Sequence, residues 1–74
     1  IEYDILTTLM RGDGRAISKN ELLNTVWGEQ YAGDFSVLRV NISRLRQKIE
    51  RNPRYPIYIV TVPGRGYCIP LNPP

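Results

Sequence analysis

The side chains best suited to binding a large ligand lie in residues 38–51, a stretch that predicts a helix. At about 100° per residue, four apolar side chains fall on one side and predict a core-facing stripe: Leu38, Ile42, Leu45 and Ile49. The opposite side mixes hydrogen-bonding, cationic and small apolar groups: Ser36, Val37, Val40, Ser43, Arg44, Gln47 and Arg51. Arginine and glutamine can hydrogen-bond to base edges in DNA, and valine can contact a thymine methyl group. An isolated exposed valine is also ordinary on protein surfaces, so Val40 by itself favours neither interpretation.

Charge is distributed unevenly along the sequence. Residues 1–38 hold three cationic and six acidic side chains, a net charge of −3, whereas residues 39–74 hold seven cationic and one acidic, a net charge of +6. Such asymmetry is typical of a surface that binds a polyanion. The alternative is a solvated helix with ion pairs four residues apart, a spacing that Arg46 and Glu50 have. That alternative leaves six of the seven cations unexplained.

The composition argues against most classes of enzyme. The chain has no histidine and one cysteine, Cys68, which excludes an internal disulfide, a zinc site of the usual ligands and a Ser-His-Asp triad. Paired carboxylates are absent, and the Gly64-Arg65-Gly66 turn lacks the pattern of a phosphate-binding loop. No signal peptide or long apolar run is visible. We therefore expect a non-enzymatic cytoplasmic chain with no cofactor, metal, small-molecule ligand or membrane association.

Two further helices are predicted before the cationic one. Residues 1–11 have apolar side chains at near-helical spacing and stop at Gly12-Asp13-Gly14. The apolar side chains of this first helix are Tyr3, Leu6, Leu9 and Met10. Ser18 and Glu21 have capping-box spacing and predict the start of the second helix, which ends at Trp27-Gly28. Its buried side is predicted to be Leu22, Leu23 and Val26, and residues 28–35 are predicted to form a loop.

The last part of the chain predicts a β-hairpin. Residues 57–62 are β-branched and aromatic, residues 66–69 can return as a second strand, and Pro63-Gly64 suits a type II turn. No order is expected beyond Leu71. Seventy-four residues make one small domain. The order helix, helix, cationic helix, hairpin predicts a mainly α fold with a C-terminal β-hairpin, the winged helix-turn-helix.

Three blocks of sequence closely resemble the DNA-binding effector domain of OmpR/PhoB-type response regulators. They are SKNELLNTVWG at 18–28, LRVNISRLRQKI at 38–49 and TVPGRGY at 61–67, in the family's order. The resemblance implies a bacterial transcription regulator of a two-component phosphorelay that binds double-stranded DNA. Its recognition helix, about 36–51, would read the major groove, and its wing, about 57–69, would enter the minor groove. In the family a receiver domain and a four-stranded sheet precede the first helix; neither is in this sequence, so residues 1–74 are expected to be a truncated effector domain.

The resemblance also implies individual contacts. Arg44 aligns with a base-reading arginine, and Trp27 aligns with a tryptophan whose indole N–H meets a phosphate, with a core aromatic as the alternative. Asn41 and Arg46 align with positions that contact the DNA backbone or brace the helix. The expected DNA-binding set is Trp27, Ser36, Val37, Val40, Asn41, Arg44, Arg46, Gln47, Lys48, Thr61, Gly64, Arg65 and Tyr67. RNA polymerase is an expected partner through Glu29, Gln30, Tyr31 and Asp34, unless that loop is a plain connector, and two copies are expected to pair on direct-repeat DNA.

The sequence departs from the common family pattern at two places. Pro63 stands where many members carry an arginine, and the cation appears instead at Arg65. Ser36 and Val37 stand where arginine and threonine are frequent, so fewer phosphate contacts are expected at the start of the recognition helix. The glycines that flank Arg65 serve either the tight turn alone or a close approach as well. The alternative function is a winged-helix protein-interaction module that docks an acidic partner.

Overall fold

The computed structural model describes residues 1–71 and contains three helices followed by a hairpin. The elements are α1 (Glu2–Arg11), α2 (Lys19–Val26), a 3₁₀ turn (Glu29–Tyr31), α3 (Phe35–Ile49), β1 (Val60–Val62) and β2 (Gly66–Cys68). The predicted fold class, mainly α with a C-terminal β-hairpin, is confirmed. The prediction about the tail concerns residues 72–74, which lie outside the described residues. None of the helices described is long and apolar enough to cross a membrane.

The three helices and the base of the hairpin enclose one apolar core. Its members are Ile5, Leu9, Ile17, Leu22, Leu23, Leu38, Ile42, Leu45, Ile59 and Tyr67. The stripe predicted for α1 is wrong in part, because Tyr3 and Met10 are 75% and 65% exposed. The inner face instead includes Thr8, whose hydroxyl donates to the Asp4 carbonyl at 2.7 Å. That hydrogen bond allows a polar residue to be buried where a hydrophobicity pattern does not expect one.

The start of α2 is tied both to its own first turn and to the hairpin. The Ser18 hydroxyl accepts the N–H of Glu21 at 3.0 Å, the capping contact predicted from the sequence. Leu22 and Leu23 are fully buried, and Trp27 ends the helix as predicted. Just before the cap, Ile17 pairs with Tyr67 through two backbone hydrogen bonds of 2.7 and 3.0 Å. The entry to α2 therefore lies beside β2.

The predicted recognition helix is confirmed with shifted ends. α3 begins at Phe35 and ends at Ile49, whereas 36–51 was expected. Leu38, Ile42 and Leu45 are buried as predicted, but Ile49 is 38% exposed. Ile49 is the last residue of α3, because the backbone of Glu50 is extended, with ψ of 137°.

The hairpin is shorter than predicted, and the side chain of Glu50 is the cause. Strand β1 covers residues 60–62 and not 57–62, because the backbone N–H groups of residues 57–59 donate to the Glu50 carboxylate. Strand β2 ends at Cys68 and not at 69. The type II turn is confirmed: Arg65 N–H donates to the Val62 carbonyl at 2.9 Å, and Gly64 has φ of 75°.

Gly64 and Gly66 have different roles in the wing. Open space surrounds the position of a Cβ on Gly64, so this glycine serves the conformation of the turn. A Cβ on Gly66 would collide with the Ile17 carbonyl oxygen and lie 2.9 Å from Ser18 Cα. Gly66 therefore lets β2 pack directly against the strand-like segment that precedes α2.

Candidate nucleic-acid interface

The side of α3 opposite the core is exposed and carries most of the side chains singled out in the sequence. We call it the outward face and define it as Ser36, Val40, Ser43, Arg44 and Gln47, all of them exposed. Arg51, which was predicted on the same side, is also exposed but lies after the end of α3. Val40 is 48% exposed. Within residues 1–71 the one ion pair joins Lys48 to Glu2, so the Arg44 guanidinium has no carboxylate partner there. The outward face thus offers a cation, an amide and a methyl-bearing side chain along one helix side, the groups that read base edges.

Several predicted contact residues of α3 are engaged within the protein. Val37 is half-buried and packs against the core, and the Asn41 amide donates to the Val37 carbonyl at 2.8 Å. Lys48 Nζ lies 2.7 Å from Glu2 Oε1, which joins the end of α3 to the start of α1. Ser36 is exposed, but its hydroxyl donates to the Asp34 carboxylate at 2.8 Å. These four side chains hold α3 in place or carry an internal hydrogen bond.

Arg46 faces the wing and not the outward face. Its Nε and Nη2 donate to the Ile59 carbonyl at 3.1 and 2.9 Å, and Nη2 also donates to the Thr61 hydroxyl at 2.8 Å. The guanidinium carbon lies 5.7 Å from the centroid of the Tyr67 ring. The sequence left two roles open for Arg46, a contact with the DNA backbone and a brace of the helix. This geometry favours the brace.

Glu50 is the residue at this site that sequence reasoning missed. It is 6% exposed, and its carboxylate accepts the N–H groups of Ile57, Tyr58 and Ile59 at 2.8–3.2 Å. Burial raises the pKa of Glu50, but the three backbone donors and the positive charge of Arg46 outweigh it and lower the pKa below its ordinary value. The available signal was its position, since it is the single acid among residues 39–74.

Arg46 and Glu50 together join the wing to α3. They are four residues apart, so they lie on the same side of the helix. One donates to a carbonyl of the segment that enters β1, and the other accepts from its N–H groups. We call this pair and its backbone partners the wing clamp. The orientation of the wing relative to the outward face is therefore set by one side chain of α3 and one at its C-cap.

The tip and base of the wing differ in exposure. Gly64 and Arg65 are exposed in the turn at the tip. Thr61 is exposed but accepts a hydrogen bond from Arg46, and Tyr67 is only 6% exposed. Arg65 is therefore the wing residue among those predicted that is free to bind a ligand with its charge.

The remaining predicted residues lie after α2. Trp27 is half-buried and packs against the core, with part of its surface still accessible. The predicted loop 28–35 contains a single 3₁₀ turn, and the four residues proposed for polymerase contact are all exposed: Glu29, Gln30, Tyr31 and Asp34. Among residues 1–71 no cluster of three potential metal ligands occurs.

Comparison with known proteins places this arrangement in a family. A family model described as "Transcriptional regulatory protein, C terminal" matches residues 1–69. The sensory transduction protein RegX3 of Mycolicibacterium smegmatis is 47% identical over 66 residues, which are 89% of this chain and 29% of that protein. The DNA-binding dual master transcriptional regulator RpaA of Synechocystis is 40% identical over 72 residues, 97% of this chain and 30% of that protein. The chain thus spans about three tenths of the length of these curated relatives.

A solved structure shares both the fold and part of the sequence. The RstA DNA-binding domain of Klebsiella pneumoniae, crystallised in complex with the RstA box, superimposes with a TM-score of 0.83 at 32% identity, covering 96% of this chain and 70% of that chain. Family model, relatives and fold agree with the resemblance of the three sequence blocks. The chain belongs to the OmpR/PhoB-type family of C-terminal transcriptional regulatory domains.

Proposed function

We propose that the chain binds double-stranded DNA sequence-specifically, as the output domain of a bacterial response regulator. The observation that carries the proposal is the outward face of α3, where Arg44 is exposed and has no acidic partner among residues 1–71. In water the side chains of this face contact only solvent, whereas the major groove supplies a partner for each of them. The similar RstA DNA-binding domain has been crystallised in complex with the RstA box, which supports DNA as the ligand of this fold.

Individual residues of the outward face take distinct roles in this proposal. Arg44 makes a bidentate contact to guanine O6 and N7, Gln47 contacts adenine, and Val40 contacts a thymine methyl group. Ser43, at the margin of the face, and Arg51, just after the end of α3, contact phosphates, which position the helix without reading sequence. Val37 and Lys48 set the position of α3 through the core and through Glu2, whereas the hydrogen bonds of Ser36 and Asn41 stay within four residues of each.

The wing and the end of α2 supply the other proposed contacts with DNA. Arg65 enters the minor groove next to the major-groove site, with Gly64 allowing the close approach of the turn. Arg46, Thr61 and Tyr67 act behind the tip and hold it in position. Trp27, which is partly accessible, contacts a phosphate through its indole N–H in this proposal.

The proposal also covers the other partners of the chain and its location in the cell. The exposed 3₁₀ turn and Asp34 provide a surface for RNA polymerase, and two copies bind direct-repeat DNA side by side. The chain acts in the cytoplasm, without catalytic activity or a cofactor. The relatives that it matches are named as signal-transduction and transcription-regulation proteins, which supports a role in regulating transcription.

Selection of bound duplexes from a random pool tests the proposal. We expect one enriched motif that contains a guanine, and binding whose log affinity falls linearly with log salt, by about 0.9 per neutralised phosphate. Circular dichroism on the same sample establishes that the chain is folded. A folded chain that enriches no motif and binds no duplex at moderate salt would overturn the proposal and favour a module that docks an acidic protein.

A further inference from the structure

The wing has few attachments to the rest of the chain. It is a hairpin of two three-residue strands, and a hairpin of that size is marginally stable by itself. On the β2 side, Tyr67 pairs with Ile17 through two backbone hydrogen bonds. On the β1 side, the hydrogen bonds that reach the end of α3 within residues 1–71 are those of Arg46 and Glu50. The wing clamp therefore fixes β1 relative to the outward face.

Glu50 holds the residue at which the wing leaves the core. Ile59 is fully buried, its N–H donates to Glu50 at 2.8 Å, and its carbonyl accepts from Arg46 at 2.9 Å. Ile57 and Tyr58 donate to the same carboxylate. A carboxylate accepts several hydrogen bonds at once, whereas an amide has one acceptor oxygen. The direction of the chain at Ile59 thus depends on the Glu50 carboxylate.

The wing clamp lies far from the tip that it orients. Pro63, in the turn, follows Ile59 by four residues, about 13 Å of extended chain. A change of about 15° in the direction of the chain at Ile59 would therefore move the tip by about 3–4 Å. The minor groove of B-DNA is only about 6 Å wide, so such a displacement separates the tip from the groove.

We propose that Glu50 is a positioning residue for DNA binding, which acts through the wing and holds Arg65 where α3 and the tip enter adjacent grooves together. Glu50 itself makes no contact with DNA. The proposal rests on the proposed function, because it concerns the angle between the two elements that bind the two grooves. It gives a buried acid a role in binding a polyanion, which a search of the sequence for cations does not reveal.

The sign of the effect separates positioning from charge. Glu50→Gln removes a negative charge from a DNA-binding chain, and charge alone would strengthen binding. We expect the opposite, a loss of about 2–100-fold in affinity for the selected duplex, the range of coupling between residues that act together. Asp4→Asn is the matched control, because it removes the same charge at an exposed acid of α1. This control is expected to bind at least as tightly as the wild type.

Coupling to Arg65 identifies the route through the wing. Where Arg65 has already been replaced by alanine, Glu50→Gln is expected to weaken binding by about twofold or less. In an Arg44→Ala background, Glu50→Gln is expected to weaken binding as much as it does in the wild type. Arg46→Lys carries the same test if Glu50→Gln does not fold, because lysine keeps the charge but lacks the planar fork of donors. Additive losses with Arg65→Ala would overturn the proposal.

Chemical probes of the two grooves give a result that a change in stability alone does not produce. At saturating protein, the wild type is expected to protect guanine N7 in the major groove from dimethyl sulfate and deoxyribose along the adjacent minor groove from hydroxyl radicals. Glu50→Gln is expected to keep the first protection and lose the second, because bound DNA restores the folded state but not the angle of the wing.

Two outcomes would overturn the positioning role of Glu50 while the wild type still selects its motif. One is protection of both grooves by Glu50→Gln, and the other is an affinity of Glu50→Gln equal to that of Asp4→Asn. A wild-type chain that selects no motif and binds no duplex would instead overturn the proposed function itself.

Discussion

Arg44 and Arg46 are two residues apart on the same helix, yet one is exposed to solvent and the other is bound to the wing. Arg46 makes three hydrogen bonds to the wing and lies near an aromatic ring. Arg44 is exposed on the outward face with no ion pair among residues 1–71. The comparison teaches that the cationic character of α3 serves two purposes, holding the wing and meeting a polyanion. Counting cations in the sequence therefore overestimates the number available to DNA.

The wing-facing side and the outward face of α3 also differ in how much they stabilise the folded chain. The wing-facing side buries a carboxylate and satisfies it with backbone donors, so its loss is expected to lower the free energy of unfolding. The outward face is hydrated in the free chain, and substitutions there are expected to change that free energy by about 0.5 kcal/mol or less. Stability and DNA binding are thus separable properties of a single helix.

The largest expected effect concerns the attachment of the wing. In Gly66→Ala the new Cβ collides with the Ile17 carbonyl oxygen at a φ of 141°, so we expect a loss of more than about 3 kcal/mol in the free energy of unfolding. Gly64→Ala is the matched control, because φ is also positive there but the space is open; its expected cost is about 1–2 kcal/mol. Chemical denaturation measures both. Equal costs for the two variants would contradict the packing role of Gly66.

The next effect concerns the wing clamp. Glu50→Gln replaces a carboxylate by an amide with one acceptor oxygen, which leaves backbone N–H groups of residues 57–59 without a partner. We expect a loss of about 2–3 kcal/mol in the free energy of unfolding. For a domain of this size that corresponds to a fall in Tm of roughly 10–20 °C. Glu29→Gln, the same change at an exposed acid, is expected to leave Tm unchanged, and a Glu50 variant as stable as that control would exclude the clamp.

Acid is expected to weaken the wing clamp, as the substitution Glu50→Gln does. The pKa of Glu50 lies below the ordinary value of 4.5 in the folded chain, so the unfolded chain takes up this proton first as the pH falls. The stability that Glu50 contributes is full above pH 4.5 and is lost as the pH falls through its lowered pKa. The stability difference between the wild type and Glu50→Gln is therefore expected to shrink below pH 4.5. A difference that stays constant down to pH 2.5 would be inconsistent with a carboxylate held as the anion.

Local signals in the sequence predicted the elements well. The Ser18 cap, the Pro63-Gly64 turn and the buried Leu38, Ile42 and Leu45 all follow from rules that involve neighbours along the chain. Such rules work because a cap, a tight turn and a helical stripe each depend on residues within a few positions of one another.

The sequence predictions failed where a residue far away along the chain decides the local structure. The first strand was predicted to begin at 57, but the Glu50 side chain takes the N–H groups that a strand would use. Thr8, which the predicted stripe of α1 omitted, is buried because α1 packs this side against the other elements, and its hydroxyl bonds to the Asp4 carbonyl one turn back. Most of the outward face could be drawn from helical periodicity, although Val37 is half-buried and Arg51 lies after the end of α3. The contact of Arg46 with the wing required knowledge of where the wing lies.

The most direct test of the account is base discrimination by Arg44→Ala and Arg46→Ala, measured as the ratio of affinities for the selected duplex and a random duplex at one salt concentration. For Arg44→Ala we expect the ratio to fall by about 5–150-fold, the equivalent of about 1–3 kcal/mol, with unchanged stability. Arg46→Ala is expected to lower stability and to weaken binding to both duplexes alike. A ratio that survives in Arg44→Ala and collapses in Arg46→Ala would show that the outward face of α3 does not read DNA.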